Sequence, residues 1–255
     1  RHNVSNALGV IALATELGLP FGKIAASLRH FQHARRRFEI KYSSERFLLV
    51  DDYAHHPTEI RATLATAKSA GRNRILAMFQ PHRYSRTKAL RKEFGAAFDA
   101  ADHVWVTDVY PASEAPLPGV NGQMIVDEIH AHGNSRATYQ PRLHQLRREV
   151  GNLIVPGDLV LSLGAGNIHE QLSLLAADLV IMEKLQEIVG KEGTVRLYEP
   201  LAKHTTLRVG GPARFWVEPR TEASFAELIG YCRHEHLPLL LLCGGSNCPW
   251  RGGGS

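Results

Sequence analysis

A chain of 255 residues, 44% apolar and 22% charged with a formal net charge of +5, suits one large or two medium globular domains and is not disordered by composition. It holds no run of five or six like charges, no apolar run of membrane-spanning length and no opening signal peptide, so neither a nucleic-acid tail nor a membrane partner is expected. Its three cysteines, Cys232, Cys243 and Cys248, are odd in number and not spaced as zinc ligands, which predicts a reducing, cytoplasmic setting.

Apolar residues at helical spacing predict a helix over residues 4–17, stopped by Gly18 and Pro20, and a second over 21–31. Residues 35–40, RRRFEI, lead out of this pair. From Phe47 the pattern alternates. Strands are expected at 47–50, 74–79, 103–110, near Ala137 and at 158–164, with helices at 58–70, 87–100, 122–132 and 167–177. That alternation predicts an α/β fold with a parallel sheet covered on both faces. Residues 177–193 read as a connector of mixed helical character. A new unit is expected from Thr194, with a glycine turn over 204–213 after a short strand, a strand at 215–219 and a helix over 221–236 capped by Thr221. A buried strand over 238–247 should then run into a glycine loop. Arg1 at the start and GGGS at the end suggest a piece of a longer protein.

Two motifs stand out. DDYAHHPTE, residues 51–59, and FQPHRYSRT, residues 79–87, each follow an apolar run and precede a helical pattern. Both loops should lie at the carboxyl edge of one sheet, where ligands of open α/β sheets bind. A carboxylate at the end of the first strand suits ribose hydroxyls, but the same residues also suit a turn with Asp52 as a cap. His55 and His56 lack the spacing of helical zinc ligands. Arg83 and Arg86, three apart, suit an anion at a helix N-terminus, or equally a solvated basic face. Arginine clusters in general suit phosphate or carboxylate oxygens. Asn3 and Asn6 offer the donor and acceptor a purine edge needs, or serve as helix caps. SLGAGNI, residues 162–168, is either a weak phosphate loop or a tight turn, and GGSN, residues 244–247, is a further glycine loop able to cradle a pyrophosphate. The sequence holds no GxxxxGK[ST].

In order, RHNVSNA, RRRFE, LLVDDYAHHPTEIRAT, FQPHRYSRT, TDVYPASEAPLPG and GDLVLSLGAGNI, spread over residues 1–177, resemble the UDP-N-acetylmuramate–L-alanine ligases, a branch of the Mur ligase family of peptidoglycan synthesis. EPLAKHTTLRVGGPA and CGGSN further on resemble the opening of the UDP-N-acetylenolpyruvoylglucosamine reductases, which are FAD enzymes using NADPH. The resemblance implies a ligase–reductase fusion. Residues 1–38 would end the central ATP-binding domain and 39–177 would be the Rossmann-like, mostly parallel C-terminal domain. Residues 178–193 would be a linker, and 194–255 the start of an incomplete α+β FAD-binding domain. The reaction implied is ATP-dependent ligation of L-alanine to UDP-N-acetylmuramate through an acyl phosphate, with Mg2+ and the phosphate loop supplied from outside this chain. The fused half would act on UDP-N-acetylenolpyruvoylglucosamine. By the same resemblance Asn3 lies near adenine, Arg37 near the phosphates and Asp52 at the ribose, with Asn6 also in the ATP site. Tyr53, His82 and Arg83 would lie near the incoming L-alanine, with Arg83 or His82 meeting its carboxylate, Arg86 would stabilise the acyl phosphate, and His55 and His56 would share the cleft without assigned roles. Thr206, Arg208, Gly210, Gly211, Gly244, Gly245, Ser246 and Asn247 would line the FAD pyrophosphate. The chain alone is expected to be inactive. The alternative is a non-catalytic module that binds nucleotide or amino acid.

Overall fold

The computed structural model describes residues 2–30 and 35–242. The chain divides into two compact units, Arg1–Arg37 and Phe38–Ser255. The first carries α1 (His2–Glu16) and α2 (Phe21–Arg29). Gly18 at φ 77 and the extended Pro20 separate them, as a glycine–proline pair should.

The second unit opens with β1 (Glu39–Ser43), β2 (Phe47–Asp52), α3 (Pro57–Lys68) and β3 (Arg74–Phe79). There follow α4 (Tyr84–Ala89), α5 (Arg91–Gly95), β4 (His103–Val106), α6 (Gln123–Ala131), β5 (Ala137–Tyr139), α7 (Leu143–Leu153) and β6 (Asp158–Leu163). The chain continues as α8 (Ile168–Val189), β7 (Thr194–Pro200), β8 (Pro212–Glu218) and α9 (Glu222–His234). Strands β1 to β6 form one sheet in the order β1-β2-β6-β3-β4-β5. β1 pairs antiparallel with β2, and the remaining pairs are parallel. β6 is buried along its whole length at the centre, so its run of apolar residues faces helices on both sides.

One face buries Val50, Phe79, Val104 and Leu161 under Ile60 and Leu64 of α3, Phe94 of α5 and Ile125 and Ile129 of α6. The other buries Leu49, Met78, Trp105 and Val160 under Leu146 and Val150 of α7 and Leu172, Leu175 and Leu179 of α8. The chain therefore leaves β2 and β3 towards one face and β6 towards the other. A crevice opens where such neighbouring connections part, at the carboxyl edge of β2, β6 and β3. At the opposite edge Arg74 forks onto the buried Asp158 (2.8 and 2.6 Å), locking β3 to β6 in register.

Several expected boundaries move. The helix expected over 87–100 is two short helices and a 3-10 turn, Ala96–Phe98, broken at Leu90 (φ −105, ψ 17). The break lets Phe94 and Phe98 reach Phe79 (ring centroids 5.4 and 5.2 Å). β4 ends at Val106 rather than near residue 110, because the chain then turns to pair with the loop after β3. β1 and α7 were not expected at all. The expected connector, 178–193, is instead largely the second half of α8, whose 22 residues run unbroken. Its early apolar residues face the sheet, while Leu185 and Ile188 pack with Leu228 and Cys232 of α9. Leu197 and Tyr198 of β7 join the same core as Leu146, Val150 and Met182. Residues 238–242, expected as a buried strand, are irregular, and Leu239, Leu240 and Leu241 stand 44–61% exposed. Among the described residues no strand pairs with them.

Candidate functional site

Three rings meet at the crevice. His55 packs edge-on to Tyr53 (5.4 Å) and tilted against His82 (5.5 Å), so the loops after β2 and β3 converge across β6. His82 in turn stacks nearly parallel on Tyr110 (5.6 Å, 10°) from the loop after β4.

Local chemistry fixes each group. Asp52 ends β2 half-buried; its Oδ1 accepts the Ala54 N–H (2.8 Å) and its Oδ2 the Phe38 N–H (2.7 Å). Burial raises its pKa, while those two N–H groups and Thr63 pull the other way. With the Ala54 and Phe38 N–H groups and the Thr63 side chain on it, about one of a carboxylate's roughly four acceptor positions is left for a further hydroxyl donor. His55 Nδ1 lies 2.9 Å from the Tyr53 carbonyl. A carbonyl can only accept, so that contact places a proton on Nδ1, and Nε2 is the nitrogen that carries the lone pair in the neutral ring. His56 plays a different part: its ring accepts the Thr58 N–H (3.4 Å) as the N-cap of α3. Glu59 answers by accepting the backbone N–H of His55 and His56 (3.0 and 3.1 Å), which completes a capping box. Turn chemistry thus accounts for His56 and Glu59 and not for His55.

In the second loop Arg83 holds φ 72, a left-handed backbone, and opens α4 without a side-chain cap. Arg86 NH1 lies 3.5 Å from His82 Nδ1. Burial lowers the His82 pKa, and the charges of His55, Arg86 and Arg83 lower it further, against Glu114. A neutral ring that accepts from Arg86 at Nδ1 presents Nε2–H, a donor suited to a carboxylate. Arg83 is exposed. The first turn of α4 is not open to an anion as the sequence suggested: Glu114 accepts the Ser85 N–H (3.0 Å) and the Ser85 hydroxyl (2.6 Å). Any anion here is therefore met by the side chains of His82, Arg83 and Arg86.

The glycine turn after β6 also serves packing. Gln80, buried, accepts the Ile168 N–H (3.1 Å) with Oε1 and donates (3.1 Å) to Oδ1 of Asn167, the residue just before the first turn of α8. A Cβ on Gly164 would sit 2.7 Å from the Gln80 carbonyl, and one on Gly166 would meet the Tyr110 ring (2.7 Å) and Gln80 Oε1. Gln80, Tyr110 and Glu114 were not singled out from sequence, although all three lie within the quoted motifs; none carries a chemical pattern of its own.

Other expected residues lie elsewhere. Asn6 is exposed on α1, Arg37 is the exposed last residue of the first unit, and Asn3 falls in α1 with its side chain outside the described residues. Thr206, Arg208 (φ 52), Gly210 (φ 128) and Gly211 form a mostly exposed turn between β7 and β8, organised by Thr205, whose hydroxyl donates to the Val209 carbonyl and accepts its N–H (2.8 and 3.1 Å). Gly244, Gly245, Ser246, Asn247, Cys243 and Cys248 lie outside the described residues. Among the described residues no helix is long and apolar enough to cross a membrane, and no cluster of three His, Cys, Asp or Glu gathers as for a metal ion.

Comparison with known proteins bears on the family and the fold. The UDP-N-acetylmuramate–L-alanine ligase of Sulfurihydrogenibium sp. (strain YO3AOP1) is 47% identical over 176 residues, 69% of this chain and 38% of that protein. That of Gloeobacter violaceus is 48% identical over 169 residues, 66% of this chain and 36% of that protein. The crystal structure of UDP-N-acetylmuramate-alanine ligase from Thermotoga maritima is 33% identical with a TM-score of 0.59, covering 71% of this chain and 38% of that one. A murein peptide ligase from Psychrobacter arcticus, 23% identical with a TM-score of 0.53 over 69% of this chain and 36% of that one, shares the fold. The chain thus spans less than two-fifths of the length of these relatives. The family model described as "Mur ligase, glutamate ligase domain" matches residues 36–166, just over half of the chain, from the exit of α2 through the glycine turn after β6. With the mostly parallel sheet and these matches in agreement, the chain belongs to the Mur ligase family.

Proposed function

We propose that residues 39–177 form the acceptor side of an ATP-dependent ligase that joins L-alanine to UDP-N-acetylmuramate in peptidoglycan synthesis. The observation that carries this reading is the meeting of Tyr53, His55, His82 and Arg86 at one crevice, in a chain 46–48% identical to proteins described as UDP-N-acetylmuramate–L-alanine ligases. The amino acid enters as a zwitterion. Its carboxylate is met by His82 Nε2–H and Arg83. His55 Nε2 takes one proton from its ammonium, and the freed lone pair attacks the acyl carbon of UDP-N-acetylmuramoyl phosphate. The C–O bond to phosphate then breaks, the second amine proton leaves with the phosphate as hydrogen phosphate, and Arg86 faces the charge gathering on that departing group. Most of the gain comes from holding amine and acyl phosphate together.

Asp52 keeps an acceptor position for a ribose hydroxyl of ATP. Asn3, Asn6 and Arg37 are assigned to adenine and phosphates on the motif alone. ATP with Mg2+ supplies the activation, and since the sequence has no GxxxxGK[ST] that step belongs to groups outside this chain. The test is ADP release by the whole gene product containing residues 1–255, with UDP-N-acetylmuramate and L-alanine both present. Release that depends on L-alanine, together with none from residues 1–255 alone, supports the reading. No alanine-dependent release, with calorimetry showing only nucleotide or alanine bound, favours the binding-module alternative.

A second reading concerns residues 194–255 as the start of an FAD- and NADPH-dependent reductase acting on UDP-N-acetylenolpyruvoylglucosamine. Its support is the Thr205–Val209 turn, beyond which Gly211 has nothing within 4 Å of where a Cβ would stand, room for close approach by a pyrophosphate. The whole gene product should then purify with a bound, visibly coloured flavin, and a colourless product would end this reading.

A further inference from the structure

Resting on the ligase reading, we propose that the loop after β4, through Tyr110 and Glu114, is the positioning element of the acceptor site: it fixes where His82, Arg83 and Arg86 stand before the amino acid arrives. Three sets of contacts join this loop to the one after β3. The Tyr110 N–H donates to the Pro81 carbonyl (2.8 Å) and the Arg83 N–H donates to the Tyr110 carbonyl (2.9 Å), an isolated parallel bridge beyond the ends of both strands. The Tyr110 ring stacks on His82, and Gly166 lacks a Cβ where that ring passes. His82 thus lies between His55 and a ring held by the turn after β6. Four residues on, Glu114 takes both donors of Ser85 at the first turn of α4, the helix that carries Arg86. A carboxylate suits this place because it accepts two donors at once and offsets the neighbouring Arg83 charge.

Backbone strain marks the same contact. Arg83, Ala112 and Ser113 hold φ of 72, 47 and 70, a region non-glycine residues enter only when their surroundings over-determine it. Here the over-determining groups are Tyr110 and Glu114. Neither touches the reacting atoms in this assignment, so both are positioning residues.

The test uses Glu114→Ala, Glu114→Gln, Tyr110→Ala and Tyr110→Phe in the whole gene product. Glu114→Ala and Tyr110→Ala should raise the KM for L-alanine about ten-fold or more, with the KM for ATP and for the UDP-sugar held within about two-fold. Glu114→Gln, whose amide oxygen still accepts from Ser85, and Tyr110→Phe, which keeps the ring, should recover to within about three-fold. A parallel measurement needs no turnover: the ring resonances of His82 followed against pH in residues 1–255. The charges facing His82 are His55, Arg83, Arg86 and Glu114, so Glu114→Gln should lower its titration midpoint, and Tyr110→Ala should shift its ring signals. The inference is overturned if the alanine variants leave the alanine KM within two-fold and His82 unmoved, or if all KM values and the thermal midpoint move together. Should the wild type make no product while the His82 signals still respond, the positioning stands and the ligase reading falls.

Discussion

Gly166 is where chemistry and packing meet most closely at the level of single residues. Any side chain there collides with Tyr110 and Gln80, and through Tyr110 it reaches His82. Gly166→Ala is expected to lower kcat/KM for L-alanine by roughly ten- to a hundred-fold while leaving the far-ultraviolet spectrum unchanged, because a misplacement of about 1 Å costs that much. His82 and His103 also make acid stability predictable. Burial lowers both pKa values, with Arg86 and Arg83 acting on His82 and Arg136 and Arg74 on His103. The folded protein therefore binds fewer protons at these sites than the unfolded chain. Their contribution is whole above the ordinary histidine range near pH 6.5 and is lost as pH falls from there through the lowered folded values. Urea midpoints should drop across that window, and His103→Gln should flatten the drop; an unchanged slope would contradict this. At this scale the sequence displayed Asp52, His55, His82, Arg83 and Arg86 but not Gln80, Tyr110 or Glu114. Their roles come from what lies opposite them in space, which no local pattern records.

Among the elements, the central strands were legible because parallel strands buried on both faces read as plain apolar runs. The edge strand β1 was not: it is short, charged, bulged between Ile40 and Tyr42, and leaves Ile40 59% exposed. Helix α7, by contrast, was legible and was missed: Leu143, Leu146, Val150 and Leu153 recur at helical spacing among arginines and glutamate. The second half of α8 is buried against different partners on different sides, which blurs its period. Its anchor is Asp178, fully buried, which accepts from the Tyr198 hydroxyl and from Arg214 Nε (2.7 Å), with Arg147 at 3.6 Å. Burial and this carboxylate raise the Tyr198 pKa strongly. Asp178→Ala leaves a buried hydroxyl and two guanidiniums without their acceptor. The expected loss is roughly 2 to 4 kcal/mol, read by urea unfolding.

At the scale of the whole chain, the shared core of Leu146, Val150, Met182, Leu197 and Tyr198 makes residues 38–242 one folding unit rather than a domain with a tether. Near-ultraviolet and far-ultraviolet melts should coincide, and Asp178→Ala should shift both together; two separate transitions would contradict the shared core. The crevice at the carboxyl edge is positioned by that unit. The claim that ties residue, element and molecule together is that His55 and His82 handle the incoming amino acid there. Its most direct test is the steady-state kinetics of the whole gene product with His55→Gln and His82→Gln, varying L-alanine at saturating ATP and UDP-N-acetylmuramate. The account predicts that His82→Gln raises the alanine KM about ten-fold or more. It predicts that His55→Gln lowers kcat by about a hundred-fold with partial recovery at high pH, where the amine is already free. Wild-type constants in both variants, or a loss confined to the KM for ATP, would contradict it.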